Sequence, residues 1–409
     1  MIEYMKPTLY VEMKNTWDTL NLIENADPWT TRASIAKSLN LSRTTASTIV
    51  SQLISCDLVD ELDSSSNGRG RPGIPLKLST TTWNALGASF HGDQWQFLLV
   101  DLRGQTILEH RERLEEITID QFIDKLLHGL DHMIVSAPGK LLPLIGIGTP
   151  GLVDSDTGII TRADDLGWKR VEIGAKVTEH TGLPCYAMNR HRAAGLAEAK
   201  FGLGRGIRNL IYIGIGTGIS AAFINDGILL EGANYSAGEI GHMLIDPDGP
   251  LCGCGRYGCL QAFSSSQALV RLMQEKYRSL IALGDELEPN ILWEAIENQR
   301  LTGDLIASEA NKGNEFAVTC MKKIAVQLGI AVSNLINTMN PQKIIIGGAL
   351  GNTGPFLAEL IRQEAAYHAM ASPFSTVHIE MSMLGNKSGA LGAASLPLRH
   401  KLELVLKPS

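Results

Sequence analysis

The chain has 409 residues, of which 44% are hydrophobic and 19% are charged, a composition that excludes wholesale disorder and fibrous repeats. Its 36 lysine and arginine residues are outnumbered by 43 aspartate and glutamate residues, so the formal net charge is −7. An acidic chain argues against nucleic-acid binding over the whole surface but permits a local basic element. The sequence has no uninterrupted apolar run of about 18 residues and no secretion signal, which predicts a cytoplasmic protein without membrane insertion.

The length predicts two or three domains, and the first boundary follows a shift in composition. No glycine precedes Gly68, and short helical patterns dominate this part of the chain. From Leu86 onward, glycine-punctuated strands alternate with helical stretches, which is typical of an α/β protein. We therefore predict one domain over residues 1–82 and another over residues 83–409.

The N-terminal segment contains the pattern of a helix-turn-helix. Thr30 or Thr31 can cap a first helix, and Ser42 can cap a second helix after a short turn. Two helices joined in this way can place the second one in the major groove of DNA. The second helix has a stripe of apolar residues at helical spacing, formed by Ala46, Ile49, Val50, Leu53 and Ile54.

Two strands, over residues 58–62 and 74–78, follow this pair of helices and are separated by the stretch DSSSNGRGRPG. The stretch is typical of a wing, in which Arg69 and Arg71 can reach phosphates or a narrow minor groove. The alternative is a small helical domain that does not bind DNA, because helix-turn-helix geometry also occurs in other contexts. The residues predicted to contact DNA are Arg32, Ser42, Arg43, Thr44, Thr45, Ser47, Arg69 and Arg71.

Three of the six cysteines fall within eight positions of one another, close to a histidine. Thiolate and imidazole groups are suitable ligands for tetrahedral Zn²⁺, although the spacing C-x-C-x4-C is not the commonest one in zinc fingers. The alternative is a set of buried thiols beside a structural histidine. The candidate ligands are His242, Cys252, Cys254 and Cys259.

The glycine-rich stretch IYIGIGTGIS also has two interpretations. Gly214, Gly216, Thr217 and Gly218 lie between two apolar, strand-like runs. Such a turn can approach a phosphate, but glycines in this position are also common in ordinary strand-to-strand turns.

Five motifs in a fixed order give the chain a resemblance to the ROK family, whose name joins repressors, open reading frames and sugar kinases. They are GIGTPGLVD from Gly146, DLGW from Asp165, GTGISAAFINDGILLEGANYSAGEIGHMLIDPDGPLCGCGRYGCLQAF from Gly216, NPQKIIIGG from Asn340 and SGALGAA from Ser388. The first 82 residues also resemble the winged helix-turn-helix of the family's repressor branch. The resemblance implies a two-lobed, actin-like or sugar-kinase-like α/β body with a sugar site in the cleft. It also strengthens the zinc interpretation and implies a closed, structural Cys3His site.

The resemblance argues against kinase activity in this chain. Family kinases use an Asn-Asp pair whose aspartate takes a proton from the sugar; here Asn189 is kept and Arg190 replaces the aspartate. A guanidinium with a pKa above about 12 cannot act as that base. The first phosphate-contacting loop also differs, with Ser89, His91 and Asp93 at the matching positions, and an aspartate there would repel phosphate.

What remains is a predicted effector site. The resemblance places Asp165, Asn189, Glu239, His242 and Gln261 around a sugar, with Gln261 and Asp165 departing from the usual family residues. Arg190 favours an anionic effector such as a sugar phosphate, because arginine pairs with phosphate through a planar fork. Alternatively, Arg190 pairs with a carboxylate of Asp164, Asp165 or Glu239 and holds the cleft closed.

The sequence therefore predicts a DNA-binding transcriptional regulator, a repressor of carbohydrate uptake or catabolism genes that responds to a sugar or sugar phosphate. A homodimer or homotetramer is expected, because paired DNA half-sites match a twofold protein. One alternative is an ATP-dependent sugar kinase with an N-terminal DNA-binding domain. Another is a regulator controlled by a transporter or phosphotransferase protein partner.

Overall fold

The computed structural model describes residues 7–26, 28–62, 73–283, 288–352 and 354–406. The predicted wing residues Arg69 and Arg71 lie outside these ranges.

The N-terminal unit consists of three helices and a small antiparallel sheet. Its elements are α1 (Pro7–Glu24), β1 (Thr30–Thr31), α2 (Arg32–Ser38), α3 (Arg43–Ser55), β2 (Val59–Glu61) and β3 (Pro75–Leu78). The strands are ordered β1-β3-β2. Thr31 caps α2 and Ser42 caps α3, while Asn40 in the turn between them has a φ of 53°. Both predicted helices are present, and the side chains of Ala46, Ile49, Val50 and Leu53 are buried.

The first lobe is built on a five-stranded mixed sheet. Its elements are β4 (Trp83–His91), β5 (Gln94–Asp101), β6 (Thr106–Arg113), α4 (Ile119–Val135), β7 (Lys140–Thr149), β8 (Leu152–Asp154), β9 (Ile159–Ala163), β10 (Trp168–Val171), α5 (Ile173–Thr181), β11 (Cys185–Asn189) and α6 (Arg190–Phe201). The sheet order is β6-β5-β4-β7-β11. The β4–β5 and β5–β6 pairs are antiparallel, and β7 pairs parallel with β4 and β11. Strands β8, β9 and β10 form a separate antiparallel sheet.

The second lobe repeats this arrangement. Its elements are β12 (Leu210–Ile215), β13 (Ile219–Asn225), β14 (Ile228–Leu229), α7 (Leu260–Ser264), α8 (Ser266–Leu283), α9 (Ile291–Glu297), α10 (Gly303–Asn311), α11 (Glu315–Met339), β15 (Lys343–Gly347), α12 (Phe356–His368), α13 (Ala371–Thr376) and β16 (His378–Met381). The order β14-β13-β12-β15-β16 matches that of the first sheet, with two antiparallel pairs followed by two parallel pairs. The predicted α/β body with two actin-like lobes is confirmed.

Two helices connect the lobes at their seam. Helix α14 (Ser388–Arg399) packs on β4 and β7 of the first sheet and is followed by α15 (Lys401–Leu406). Helix α6 packs on β12 and β13 of the second sheet and also against α14. The close contact of α14 requires glycine below it, because a Cβ atom at Gly87 or Gly146 would collide with the helix backbone. Helix α14 therefore packs on the first sheet and α6 mainly on the second, with smaller contacts to β7 and β11, and the two helices contact each other.

The N-terminal unit shares a hydrophobic core with the first lobe. Leu20 and Ile23 of α1 belong to one buried cluster with Leu398 and Leu402 of α14 and α15. Burial of such side chains stabilises the contact by roughly 2 kcal/mol each. The shared core attaches the unit to the first lobe.

Helix α11 is the one helix in the described part of the chain that is long and apolar enough to cross a membrane by length and composition. It has 25 residues, and an 18-residue stretch within it has a mean hydropathy of 1.4. Twelve of its side chains are buried, and many of these belong to the core of the second lobe, where α11 packs against α10 and α12. We interpret it as a core helix.

Candidate effector cleft and metal cluster

A cavity of about 340 Å³ lies in the cleft between the two lobes, a volume within the range of small-molecule sites. Its walls come from the turn after β7, the 3-10 turn over Asp164–Leu166, the start of α6 and the turn between β12 and β13. All six residues predicted to bind an effector line this cavity, namely Asp165, Asn189, Arg190, Glu239, His242 and Gln261. The fold thus brings residues from distant parts of the chain to one cleft.

Asn189 fixes the geometry at the base of the cleft. It caps α6, because its Oδ1 accepts hydrogen bonds from the backbone N–H groups of His191 at 2.9 Å and Arg192 at 3.3 Å. The Ser220 hydroxyl donates to the same oxygen at 3.3 Å, and Nδ2 donates to the Gly151 carbonyl at 3.0 Å. The amide therefore joins a first-lobe turn to a second-lobe strand, and its second N–H is left for a bound molecule.

Arg190 begins α6 and extends its guanidinium between the lobes. Nη1 donates to the Phe90 carbonyl at 3.4 Å, and Nη2 donates to the Thr217 hydroxyl at 3.3 Å. Burial lowers the pKa of Arg190, and the charge of Asp165 opposes this effect. Among the described residues, the hydrogen bonds of this cation are two long ones to neutral groups.

The alternative in which Arg190 pairs with a carboxylate is not observed. Within the described ranges, no carboxylate oxygen lies within the 4.0 Å ion-pair distance of its guanidinium. Asp164 instead pairs with Arg162. Arg190 is therefore a half-buried cation whose hydrogen-bond partners are neutral groups.

Glu239 contributes a carboxyl group whose protonation changes near neutral pH. Burial raises its pKa to about 7; Arg192 opposes the rise, and the carboxylates of Asp165 and Asp164 add to it. Around pH 7 the group can therefore either donate a hydrogen bond to a sugar hydroxyl or accept one from it.

Arg190 also lines a second, smaller cavity of about 20 Å³, with room for about one water molecule. It is lined in part by His91 and His191. Burial and the charge of Arg190 lower the pKa of His91 to about 4, with Asp93 opposing, and hold the pKa of His191 well below its ordinary value. Both imidazoles are therefore neutral at pH 7.

The four candidate metal ligands form one cluster. One potential ligand atom from each of His242, Cys252, Cys254 and Cys259 lies within 4.8 Å of the others. The sulfur atoms of Cys254 and Cys259 are 3.8 Å apart, as are Cys252 Sγ and His242 Nδ1. In a tetrahedral site with Zn–S bonds of about 2.3 Å, neighbouring sulfurs lie about 3.8 Å apart. The donor set and its spacing therefore fit a tetrahedral metal ion.

The loop around the cluster supports metal binding and connects it to the cleft. Burial raises the pKa of the Cys254 thiol, but hydrogen bonds from Arg256 and the neighbouring thiols lower it to about 7. A thiol with a lowered pKa is more readily converted to the thiolate that binds a metal. Gln261 Nε2 donates to Cys252 Sγ at 3.5 Å, and His242 belongs both to the cluster and to the cavity wall. A metal ion here would hold the wall of the cleft in place.

The predicted DNA-contacting residues at the start of α3 lie on its exposed face. Ser42, Arg43, Thr44, Thr45 and Ser47 are all solvent-exposed. The Ser42 hydroxyl accepts a hydrogen bond from the Thr45 backbone N–H at 3.0 Å, as expected for the cap.

Arg32 differs from these residues because its guanidinium is used within the chain. It pairs with Glu61 at 2.7 Å and donates to the Ser47 carbonyl at 2.9 Å. It therefore ties α2 to α3 and to β2.

Comparison with known proteins identifies the family. A model described as the ROK family matches residues 86–400. The chain belongs to the ROK family. The xylose repressor of Bacillus subtilis is 28% identical over 380 residues, a match that covers 91% of this chain and 92% of that repressor. The glucokinase of Halalkalibacterium halodurans is 33% identical over 253 residues, which cover 62% of this chain and 75% of the enzyme.

A solved structure extends the ROK similarity over nearly the whole chain. The crystal structure of a ROK family transcriptional regulator, a homolog of the Escherichia coli Mlc protein, has 25% sequence identity and a TM-score of 0.80. The match covers 97% of this chain and 100% of that chain. The similarity to ROK regulators therefore includes the N-terminal unit, whereas the glucokinase match is limited to part of the chain.

The sequence interpretation missed several residues of the ROK cleft. Thr217 was recognised as part of a glycine-rich turn, but not as the partner of Arg190. The turn itself joins β12 to β13, so the hairpin interpretation is correct. Arg192, which donates to the Tyr235 carbonyl and faces Glu239, had no distinguishing local pattern. Its role depends on contacts between segments distant in the chain.

Proposed function

We propose that this ROK protein is a DNA-binding transcriptional repressor of carbohydrate uptake or catabolism genes, and that a sugar or sugar phosphate in the cleft changes its affinity for DNA. One observation carries the proposal. The N-terminal part of α3 is exposed and has neutral and basic residues but no acidic ones, and it is joined to a body that contains a cleft large enough for a sugar. The extent of the similarity to a xylose repressor supports it, because that match includes most of both chains. We place the protein in the cytoplasm, where its DNA would be.

The N-terminal unit would act as a winged helix-turn-helix, with the domain boundary near residue 82. An α-helix is about 10–12 Å across with its side chains and the major groove is about 12 Å wide, so α3, with 13 residues, can lie in it. Ser42, Arg43 and Thr44 would meet base edges or phosphates near its start. Arg69 and Arg71 would anchor the wing, and Arg32 would position α3 through its contact with Ser47.

We further propose that the effector carries an anionic group, which Arg190 binds. The guanidinium lies at the positive end of α6, beside the Thr217 hydroxyl and without a carboxylate partner. Calorimetry with D-glucose and glucose 6-phosphate, and with a panel of other sugars and their phosphates, tests this proposal. We expect the preferred phosphate to bind at least about tenfold more tightly than its sugar, and Arg190→Ala to remove that difference. Equal affinities that Arg190→Ala leaves unchanged would eliminate the anionic effector.

Catalysis is not part of this proposal. A kinase would need a catalytic base at the position of Arg190. Glu239 also lies in the cleft, but it does not occupy that position in the chain. Sugar-dependent ATP turnover by the purified protein would support the kinase alternative.

The metal in the cluster of His242, Cys252, Cys254 and Cys259 would be structural zinc. Four protein ligands close a tetrahedral site, so none is left open for a reacting water. The oligomer would be a homodimer or homotetramer with paired winged domains. A transporter or phosphotransferase protein that binds this repressor stays an alternative means of control.

The test of the main proposal is genome-wide recovery of DNA bound to the purified full-length protein, repeated with the panel of sugars and sugar phosphates. We expect enrichment of a short palindrome near carbohydrate genes, relieved by one compound. Enrichment that no compound relieves would favour control by a protein partner. No enrichment under any condition would refute the regulator proposal.

A further inference from the structure

We propose that Glu24 couples the effector cleft to the DNA-binding unit, because its carboxylate pairs with lysines on the two helices that contact different lobes. The inference rests on the proposed function and specifies how the cleft would regulate DNA binding. Glu24 is the last residue of α1 in the N-terminal unit.

The cluster consists of one carboxylate and two ammonium groups. Lys401 Nζ of α15 lies 2.6 Å from Glu24 Oε2, and Lys200 Nζ of α6 lies 3.3 Å from Glu24 Oε1. The Lys401 side chain is only 2% exposed and that of Glu24 is 18% exposed. Burial by itself raises the pKa of Glu24, but the two lysines outweigh it and lower the pKa, so the carboxylate is ionised at neutral pH. The Lys200 side chain is 30% exposed, so the Glu24–Lys200 pair is partly buried, whereas the Glu24–Lys401 pair is well buried.

Helix α6 connects this cluster directly to the cleft. Its first residue, Arg190, lines the effector cavity, and its cap, Asn189, is bonded to both lobes. Lys200 lies ten residues further along the same helix, or about 15 Å. An unbroken helix transmits a shift at one end to the other, because its backbone hydrogen bonds resist local deformation.

The two lysines belong to parts of the body that would separate when the lobes move. Helix α6 packs on β12 and β13 of the second sheet, whereas α15 follows α14, which packs on β4 and β7 of the first sheet. Leu20 and Ile23 hold α1 in the same core as α14 and α15, and Ala197 of α6 also contributes to this core. Because α6 makes most of its sheet contacts with the second lobe, a rotation of the lobes would shift Lys200 relative to Glu24 more than it shifts Lys401, whose helix follows α14. The Glu24–Lys200 pair therefore favours one lobe arrangement and one position of α1.

Substitution of Lys200 by methionine removes the moving partner and keeps the fixed one. The remaining Glu24–Lys401 pair has balanced charge, so the Lys200→Met protein is expected to fold. Lys200→Arg keeps a cation of similar reach and is expected to preserve coupling. Lys343→Met is the matched control, because Lys343 makes a 3.1 Å pair with Glu380 in the second lobe and its side chain is 15% exposed.

The first experiment measures operator affinity of the full-length variants with and without saturating sugar or sugar phosphate from the panel. We expect an affinity change on the order of tenfold in the wild type, in Lys200→Arg and in Lys343→Met. In Lys200→Met the change should fall below about threefold, measured at compound concentrations that saturate the DNA-free variant. A full response in Lys200→Met would overturn the inference and leave the proposed function intact.

A second experiment requires neither an operator nor an effector. Hydrogen exchange of α1 is measured in Arg190→Ala, in Lys200→Met and in the double variant. If Glu24 couples the two regions, Arg190→Ala alters exchange in α1, and Lys200→Met removes that effect. An α1 that is unaffected by Arg190→Ala, or affected equally with and without Lys200, would overturn the coupling even if the protein binds no DNA.

Discussion

Glu239→Gln should make the protein more stable at high pH, because it removes a carboxylate that burial disfavours. The pKa of Glu239 is raised from 4.5 to about 7. A raised carboxyl pKa means that the folded protein holds the proton more tightly than the unfolded chain, so stability is lost as pH rises from 4.5 to 7 and is constant above. The full loss is about 3 kcal/mol, at 1.36 kcal/mol per pKa unit.

The expected result is a pH-dependent difference between the two proteins. The free energy of unfolding of Glu239→Gln minus that of the wild type should grow by about 2.5 kcal/mol between about pH 5 and about pH 8. Urea unfolding in matched buffers measures this difference, and groups common to both proteins cancel. Glu315→Gln, at the exposed start of α11, controls for the loss of one negative charge. If the difference in the free energy of unfolding between Glu239→Gln and the wild type does not change with pH, the raised pKa of Glu239 is refuted.

Three further substitutions test other parts of the molecule. Cys254→Ser should abolish binding of the expected one zinc ion per chain, whereas Cys320→Ser, outside the cluster, should retain it. Elemental analysis that finds no zinc in freshly purified wild-type protein would refute the proposed zinc site. Arg43→Ala should weaken specific operator binding by about tenfold or more, and unchanged operator affinity in this variant would argue against the exposed face of α3 as the DNA-binding surface. Arg32→Ala should instead lower the stability of the N-terminal unit by about 1 kcal/mol. Asn189→Ala should lower the free energy of unfolding by about 3 kcal/mol, since it removes a helix cap and two buried side-chain hydrogen bonds, and a loss below about 1 kcal/mol in urea unfolding would contradict the proposed role.

Local patterns predicted the elements of the N-terminal unit well. Ser42 and the apolar stripe beginning at Ala46 are short-range signals, and both match α3. The sequence also pointed to the cluster of candidate metal ligands, because Cys252, Cys254 and Cys259 are close neighbours in the chain. Helix α1 was not predicted, although it supplies Leu20 and Ile23 to the core shared with the first lobe.

The contacts that give the cleft its chemistry were beyond the reach of local patterns. Sequence left open whether Arg190 would pair with a carboxylate, and only the folded chain shows that Phe90 and Thr217 supply its partners. The ion cluster of Glu24, Lys200 and Lys401 joins residues separated by almost the whole chain. Each is an unremarkable charged residue on a helix until the packing of α1, α6 and α15 brings them together.

A kinase-like fold can serve a regulator with few changes, because both uses depend on the relative movement of two lobes. A kinase uses the movement to exclude water and align reactants, whereas a regulator needs only that its effector bind one lobe arrangement more tightly than the other. A tenfold change in DNA affinity corresponds to about 1.4 kcal/mol of coupling. One partly buried ion pair such as Glu24–Lys200 is expected to contribute about this much free energy. Exposed ion pairs contribute up to roughly 1 kcal/mol, and the loss of one partner of a buried pair has a larger effect. Replacement of a catalytic aspartate by Arg190 would remove phosphoryl transfer and leave this movement available for regulation.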